Sequence, residues 1–265
     1  MPPGERLTAA LQARQKGGLP ALVPYVTAGF PRLHDTVSLL RAAEAAGCAA
    51  AEIGIPFSDP LADGPTIQRS GWQALTNGMT ATLAVEQAAA ARAAGVTIPL
   101  VLMTYVNPVL SMGLDRFCAA VAAAGVDGLI VPDLPRDEAD DAMTAASAYG
   151  LALIPMVAPT TPSARLERAC ANASGFIYCV GVTGTTGARR EIAPEAFELL
   201  ARVRGMTPLP LALGFGLGRH EHLVALRGRC EAAVVGAALI AAISERPDDG
   251  AAAAGAFLRG MLQPA

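Results

Sequence analysis

Residues 52–65 read Glu-Ile-Gly-Ile-Pro-Phe-Ser-Asp-Pro-Leu-Ala-Asp-Gly-Pro. Glu52 is an ionisable group inside an apolar run, Cys48 to Ile55, that otherwise has the composition of a buried strand. A loop with three prolines and two aspartates, Asp59 and Asp63, comes directly after it. A carboxyl at the end of a buried strand, facing carboxylates on a stiff loop, is the layout of an acid/base site. Strand alternation sets Glu52 and Gly54 on one face and Ile53 on the other. Loss of hydration there raises a carboxyl pKa, which suits a group that must both give and take a proton near neutrality. The plainer alternative for Glu52 is a structural carboxylate hydrogen-bonded inside the fold. Asp63 has two readings: a carboxylate aimed at a ring N–H or a developing cation, or the cap of a helix starting near Thr66. Asp59 reads as a loop organiser or a partner contact.

Two glycine sites add a second chemistry. Gly214-Phe-Gly216 follows one apolar run, and Gly236-Ala237 follows the next and opens a helix over 237–243. Backbone N–H groups at such a helix start hold anions without a lysine. The segment Val182–Ile192 is polar, glycine-punctuated and long, the profile of a lid with Thr186 and Arg189 as its contact residues, an ordinary surface loop being the alternative. Absences narrow the reaction. The chain has one lysine, Lys16, off every predicted strand. That leaves no candidate for a Schiff base. The histidines are His34, His220 and His222. The last two stand two apart and do not share a helix face, so no metal site is expected and all three read as solvated surface groups. No Ser-His-Asp arrangement or nucleophile elbow is present.

The elements that must position these residues repeat. An Ala-rich helix ends at a glycine and a short apolar strand follows, as at Gly47, Gly95 and Gly125, and more loosely at Gly150 and Gly175. The strands predicted are Ala21–Thr27, Ala49–Ile53, Leu100–Thr104, Gly128–Val131, Ala152–Met156, Gly175–Cys179, Leu209–Leu213 and Ala232–Val235. Eight βα units predict an α/β fold closed as a (β/α)8 TIM barrel, with 1–265 as one domain. An open doubly wound sheet is the structural alternative. Met1–Gly18 is expected as an extra helix over the barrel bottom, and Asp248–Met261 as the last helix. In such a barrel chemistry sits at the carboxyl ends of the strands, where Glu52, Asn107, Asp133 and Tyr178 fall.

Composition agrees. The 265 residues are 52% hydrophobic, enough for a large core, with a net charge of −3. No basic stripe with interleaved aromatics marks nucleic-acid binding. The longest apolar run, 232–243, is shorter than the ~20 residues of a membrane helix. The first residues lack a signal-peptide profile. Five scattered cysteines fit reduced thiols and a cytoplasmic location, and Cys179 is given no chemical role.

These motifs resemble the tryptophan synthase α subunit. The resemblance rests on Pro24–Pro31, Glu52–Pro65, Leu102–Pro108, Val131–Pro135, Gly175–Tyr178, Thr186–Arg189, Gly214–Gly216 and Val234–Gly236, in the family's order and spacing over nearly the whole chain. It implies cleavage of indole-3-glycerol phosphate to indole and glyceraldehyde 3-phosphate. Glu52 then shuttles protons at indole C3 and the glycerol hydroxyl, Asp63 accepts the indole N–H, and Tyr178 borders the substrate. Tyr25, Met103, Ile130, Met156 and Phe215 form the indole slot, and Gly187, Gly216, Gly236 and Ala237 hold the phosphate. The family works as an αββα complex with a β subunit that carries pyridoxal phosphate, so no cofactor is expected in this chain. The β-facing surface is expected to include Pro56, Phe57, Asp59, Asn107 and Pro108. Lid closure brings Thr186 to Asp63. A stand-alone lyase releasing free indole and a non-catalytic activator of β are the rival functions.

The chain departs from the family pattern at four places. Ala237 stands where Ser is usual, which removes one phosphate hydrogen bond of ~1.5–3 kcal/mol if charge-assisted. Gly181 replaces Ser and Thr185 replaces Val. The segment Gly218-Arg-His-Glu-His222 is also unlike the common one.

Overall fold

The computed structural model describes residues 2–13, 18–181, 191–214 and 216–263. Thr186, Gly187, Arg189 and Phe215 lie outside them. The strands are β1 (Ala21–Thr27), β2 (Ala51–Gly54), β3 (Leu100–Met103), β4 (Gly128–Ile130), β5 (Ala152–Leu153), β6 (Met156–Val157), β7 (Ile177–Val180), β8 (Leu211–Gly214) and β9 (Ala232–Val235). They form one parallel sheet in the order β5-β4-β3-β2-β1-β9-β8-β7-β6. Its two edge strands are consecutive in the chain. β5 pairs with β4 and β6 with β7, so residues 152–157 act as one stave that closes the ring.

The predicted single strand Ala152–Met156 is therefore corrected to two short segments. Pro155 is the reason, because it has no N–H to give. The neighbours keep the stave in line. The Ile154 N–H donates to the Leu129 carbonyl (2.8 Å), and the Tyr178 N–H to the Pro155 carbonyl (3.0 Å). The predicted start of the next strand at Gly175 is also too early. Gly175 has φ +78°, outside the extended region, and the ladder begins at Ile177. β1 and β9 keep their predicted bounds.

Both faces of the sheet are buried, as expected of parallel strands wrapped by helices. Helices stop where the chain must turn back. The helix Thr36–Ala46 ends at Gly47, whose φ of +95° returns N–H groups to the last carbonyls. The N-terminal helix Glu5–Ala13 closes the bottom of the barrel. Leu7 is fully buried there and packs against Gly128, where a Cβ would meet it at 3.1 Å and the Ala152 carbonyl at 3.0 Å; at Gly175 a Cβ would meet Ile154 at 2.9 Å. Arg6 and Arg92 both pair with Asp127, at 2.7 and 2.9 Å, and Asp127 also accepts the Leu100 N–H. This end of the barrel carries packing and ion pairs. The other end carries the unusual polar residues.

Candidate active site

Register decides what the barrel mouth contains. Tyr25 pairs with Glu52, Glu52 with Val101, and Gly54 with Met103. Met103 pairs with Ile130, Met156 with Tyr178, and Val180 with Gly214. Paired residues of neighbouring strands share a face, and residues two apart along a strand do too. Tyr25, Glu52, Gly54, Met103, Ile130, Met156, Tyr178 and Gly214 thus share the inward face. A single hydrophobic lining with one carboxyl in it results.

Glu52 is 2% exposed. Burial, and then the charge of Asp63, pushes its carboxyl up to about 8. Asp63 stands on the loop after β2, just before the helix Pro65–Thr76. Its carboxyl is pushed up to about 6 by burial, against a hydrogen bond from Tyr105 that pulls it down. Asp63 does not cap the helix with its side chain. Gly64 is the cap residue, with no side-chain cap bond, and Asp63 gives only its backbone carbonyl to Gln68.

Tyr105 is the site residue to which the sequence reading gave no role. It is 3% exposed, tilted against Phe57 with ring centroids 5.4 Å apart. Its hydroxyl accepts the Ala62 N–H at 3.1 Å and donates to Asp63. It thereby ties the Pro-rich loop to the end of β3. The signal was a tyrosine two residues past a buried strand, whose hydroxyl needs a partner once buried. Three of the chain's four tyrosines, Tyr25, Tyr105 and Tyr178, surround the two carboxyls. Burial raises each phenol well above its ordinary range, so all three stay protonated.

Two tyrosines lie across glycines. A Cβ on Gly54 would meet the Tyr25 hydroxyl at 2.0 Å, and one on Gly214 would meet the Tyr178 hydroxyl at 2.1 Å. Gly236 backs onto Tyr25 as well, where an added Cβ would lie 3.4 Å from the Tyr25 Cβ. Gly236 opens the helix Ala237–Glu245, and Ala237 is its first residue, half-buried. Gly216 follows β8 in the left-handed region. The two candidate anion-binding segments are packed together, because a Cβ on Gly218 would sit 2.7 Å from that of Ala238.

The surface residues of the candidate partner face are near these elements. Asp59 is exposed and accepts the Ser58 hydroxyl at 2.5 Å. Pro56 and Pro108 are half-buried, and Asn107 is exposed. On the same segments Leu61 and Leu110 are 89% and 62% exposed, and Trp72, on the helix Pro65–Thr76, is 70% exposed.

The histidine expectation needs correcting. His222 is 3% exposed and its Nδ1 accepts the Gly218 N–H at 3.1 Å, so it is an interior group and not a solvated one. His220 is half-buried, with Nδ1 against the Met261 carbonyl at 2.8 Å. Cys179 is buried and its thiol is pushed far up by desolvation, away from reactivity. Among the described residues no cluster of three or more His, Cys, Asp or Glu could hold a metal ion.

The family model described as tryptophan synthase alpha chain matches residues 10–259. A tryptophan synthase alpha chain of Chloroflexus aurantiacus is 47% identical, over 97% of each chain. One from Gluconacetobacter diazotrophicus is 46% identical, over 92% of this chain and 88% of that one. Among solved structures, Mycobacterium tuberculosis tryptophan synthase superposes with a TM-score of 0.89 at 33% identity, covering 97% of this chain and 96% of that one. A chain from the Pyrococcus furiosus tryptophan synthase a2b2 complex gives 0.86 at 38% identity, over 91% and 97%. With its barrel, its buried carboxyl pair and these relatives, the chain belongs to the tryptophan synthase alpha chain family.

Proposed function

We propose that the chain is a carbon–carbon lyase that cleaves indole-3-glycerol phosphate to indole and D-glyceraldehyde 3-phosphate and hands the indole to a tryptophan synthase beta subunit. One observation carries this reading. Two neighbouring carboxyls have environments that set them apart, Glu52 at about 8 and Asp63 at about 6. At neutral pH Glu52 keeps its proton and Asp63 has lost its own, which assigns the acid and the anion.

Glu52 gives its proton to indole C3. The ring becomes a cation, and the Asp63 carboxylate accepts its N–H and offsets the charge. Glu52, now a carboxylate, takes the proton from the hydroxyl on the adjacent glycerol carbon. The oxygen's electrons form the aldehyde carbonyl, the carbon–carbon bond breaks, and its electron pair returns to the ring. Glu52 ends protonated, ready for the next turn. The protonated ring is the electron sink, so no lysine imine is required. Tyr178, Tyr25, Met103, Ile130 and Met156 line the slot for the flat ring, and backbone N–H groups at Gly216, Gly236 and Ala237 receive the phosphate. Roles for Phe215, Gly187, Thr186 and Arg189 rest on the resemblance alone.

No cofactor is assigned to this chain. Pyridoxal phosphate belongs to the beta subunit. The exposed apolar side chains at Leu61, Trp72 and Leu110, beside Pro56, Phe57, Asp59, Asn107 and Pro108, support docking of that subunit. The whole chain, 1–265, acts as one domain. Among the described residues no helix is long and apolar enough to cross a membrane. Five buried free thiols are compatible with a reducing cytoplasm.

The test is indole release by the isolated chain, with and without beta subunit, for wild type and Glu52→Gln. Wild type is expected to turn over slowly alone and faster with beta. The variant is expected to lose about 10²–10⁴-fold, the range for a general acid/base. Undiminished release by Glu52→Gln would remove the proposed mechanism. Vigorous turnover without beta would mark a stand-alone lyase.

A further inference from the structure

The anion-binding segments need a fixed separation. If backbone N–H groups at Gly216 and at Gly236–Ala237 are to meet one phosphate, the two must be held within about 0.5 Å of the right placement. Gly218 lies between them. It is two residues past Gly216, and its Cα side abuts Ala238, one residue past Ala237. No larger residue fits at 218, since its Cβ would be 2.7 Å from another Cβ that has no rotamer to escape into.

Contact alone does not hold a glycine turn in one conformation. A hydrogen bond does so here. The short helix His220–Ala225 starts at Arg219, which makes no side-chain cap bond. His222, at the third helical position, reaches back instead, and its Nδ1 accepts the Gly218 N–H at 3.1 Å. Acceptance at Nδ1 puts the ring proton on Nε2. The imidazole is buried, between Leu217 and Leu223 in sequence, both of which are buried too. The start of the same helix is tied to the last helix of the fold through His220 and the Met261 carbonyl. The bond to Gly218 is thus anchored to the body of the protein.

We infer that His222 is a positioning residue for phosphate binding, fixing the Gly216–Gly218 turn against the helix Ala237–Glu245. The inference rests on the phosphate site proposed above. It assigns a role to a segment in which this chain departs from its family's pattern. Where Ala237 offers no hydroxyl, the anion depends more on how well the backbone donors are placed.

Three full-length variants test it, by calorimetric titration with inorganic phosphate and by steady-state kinetics on indole-3-glycerol phosphate with the beta subunit present. His222→Leu removes the acceptor and keeps an apolar volume. It should weaken phosphate binding and raise KM by about five- to tenfold, with kcat within about twofold of wild type. His222→Asn should restore most of the affinity, because the Asn side-chain oxygen can reach the place of Nδ1 and accept the same N–H. Ala238→Val presses on Gly218 from the helix side with His222 intact. It should weaken phosphate binding as His222→Leu does, which keeps the test open if that variant fails to fold. Wild-type phosphate affinity in His222→Leu or Ala238→Val overturns the inference. So does a His222→Asn protein as impaired as His222→Leu, or a fall in kcat with KM unchanged, the mark of lost folded enzyme. A wild-type chain that binds no phosphate overturns both the inference and the phosphate site, while the Glu52→Gln test of the lyase reading stands apart.

Discussion

Tyr25 of β1 lies across Gly54 of β2, so close that a Cβ on Gly54 would sit 2.0 Å from the phenol oxygen and 2.4 Å from the carbon bearing it. Tyr178 lies across Gly214 in the same way. Neither ring can swing aside, since Tyr25 and Tyr178 are 8% and 5% exposed in a packed lining. Gly54→Ala or Gly214→Ala must therefore drive a tyrosine into the space proposed for indole. Overpacking costs on the order of 1–3 kcal/mol of stability. Misplacing substrate by an ångström costs about 10²-fold in rate. Urea denaturation and kcat/KM should show that imbalance, with activity hit harder than folding. Activity near wild type in both variants would mean that the rings do not border the substrate.

The pH profile follows from the two carboxyls. Asp63 must be ionised to offset charge on the ring, and Glu52 must be protonated to start the reaction. With Asp63 pushed up to about 6 and Glu52 to about 8, kcat/KM should rise through the first value and fall through the second. A profile flat from pH 5 to 9 would show that neither titration governs turnover.

Glu52 also links stability to pH. Its carboxyl is raised from 4.5 to about 8, so the folded chain holds a proton that the unfolded chain releases. The benefit of burying the neutral acid is complete below 4.5 and is lost as pH climbs toward 8. Across that window wild type should lose up to ~1.4 kcal/mol per pH unit. Glu52→Gln has no proton to lose. Its urea midpoint should exceed that of wild type by a margin that grows from pH 5 to pH 8 and then levels off. A constant difference between the two proteins would show that folding does not raise the Glu52 carboxyl.

What could be read before any coordinates was the part written in local pattern. Helix-ending glycines and short apolar runs gave eight staves, and β1 and β9 to the residue, because those signals act over a few neighbours. The errors came where backbone detail overrode the pattern. Pro155 splits one stave, and the left-handed Gly175 delays the next. Glu52 stood out as a charge in an apolar strand. Tyr105 did not, because its partners Ala62 and Asp63 are more than forty residues away in sequence. His222 was misread as a surface group although its partner Gly218 is only four residues away, because two histidines in a polar run carry no local sign of burial.

Tyr105 should reveal itself as a tuner of Asp63. Its hydrogen bond lowers the Asp63 carboxyl against the burial that raises it. Tyr105→Phe keeps the ring against Phe57 but removes the hydroxyl, and leaves the Ala62 N–H without that acceptor. Asp63 then becomes harder to ionise. The acid limb of the kcat/KM profile should move to higher pH, and the alkaline limb, set by Glu52, should shift much less. The lost bond to a charged group, ~1.5–3 kcal/mol, corresponds to about a tenfold or larger fall at pH 6. An unmoved acid limb would separate Tyr105 from Asp63 in function.

Ala237 offers a gain where the other changes give losses. It is the first residue of the helix Ala237–Glu245, whose cap residue Gly236 supplies no side-chain bond. The exposed N–H groups of that turn carry the positive end of the helix dipole. A serine there adds a hydroxyl donor on the same side without changing the backbone. A bond to a charged oxygen contributes about 1.5–3 kcal/mol at most, and part is offset by desolvating the hydroxyl. Ala237→Ser should tighten inorganic phosphate by about three- to tenfold in a titration and lower KM for the phosphorylated substrate, with kcat little altered. Indole alone should bind both proteins equally, since the hydroxyl lies at the phosphate end. No gain for phosphate would show that the anion's oxygens are already fully satisfied by backbone donors and water.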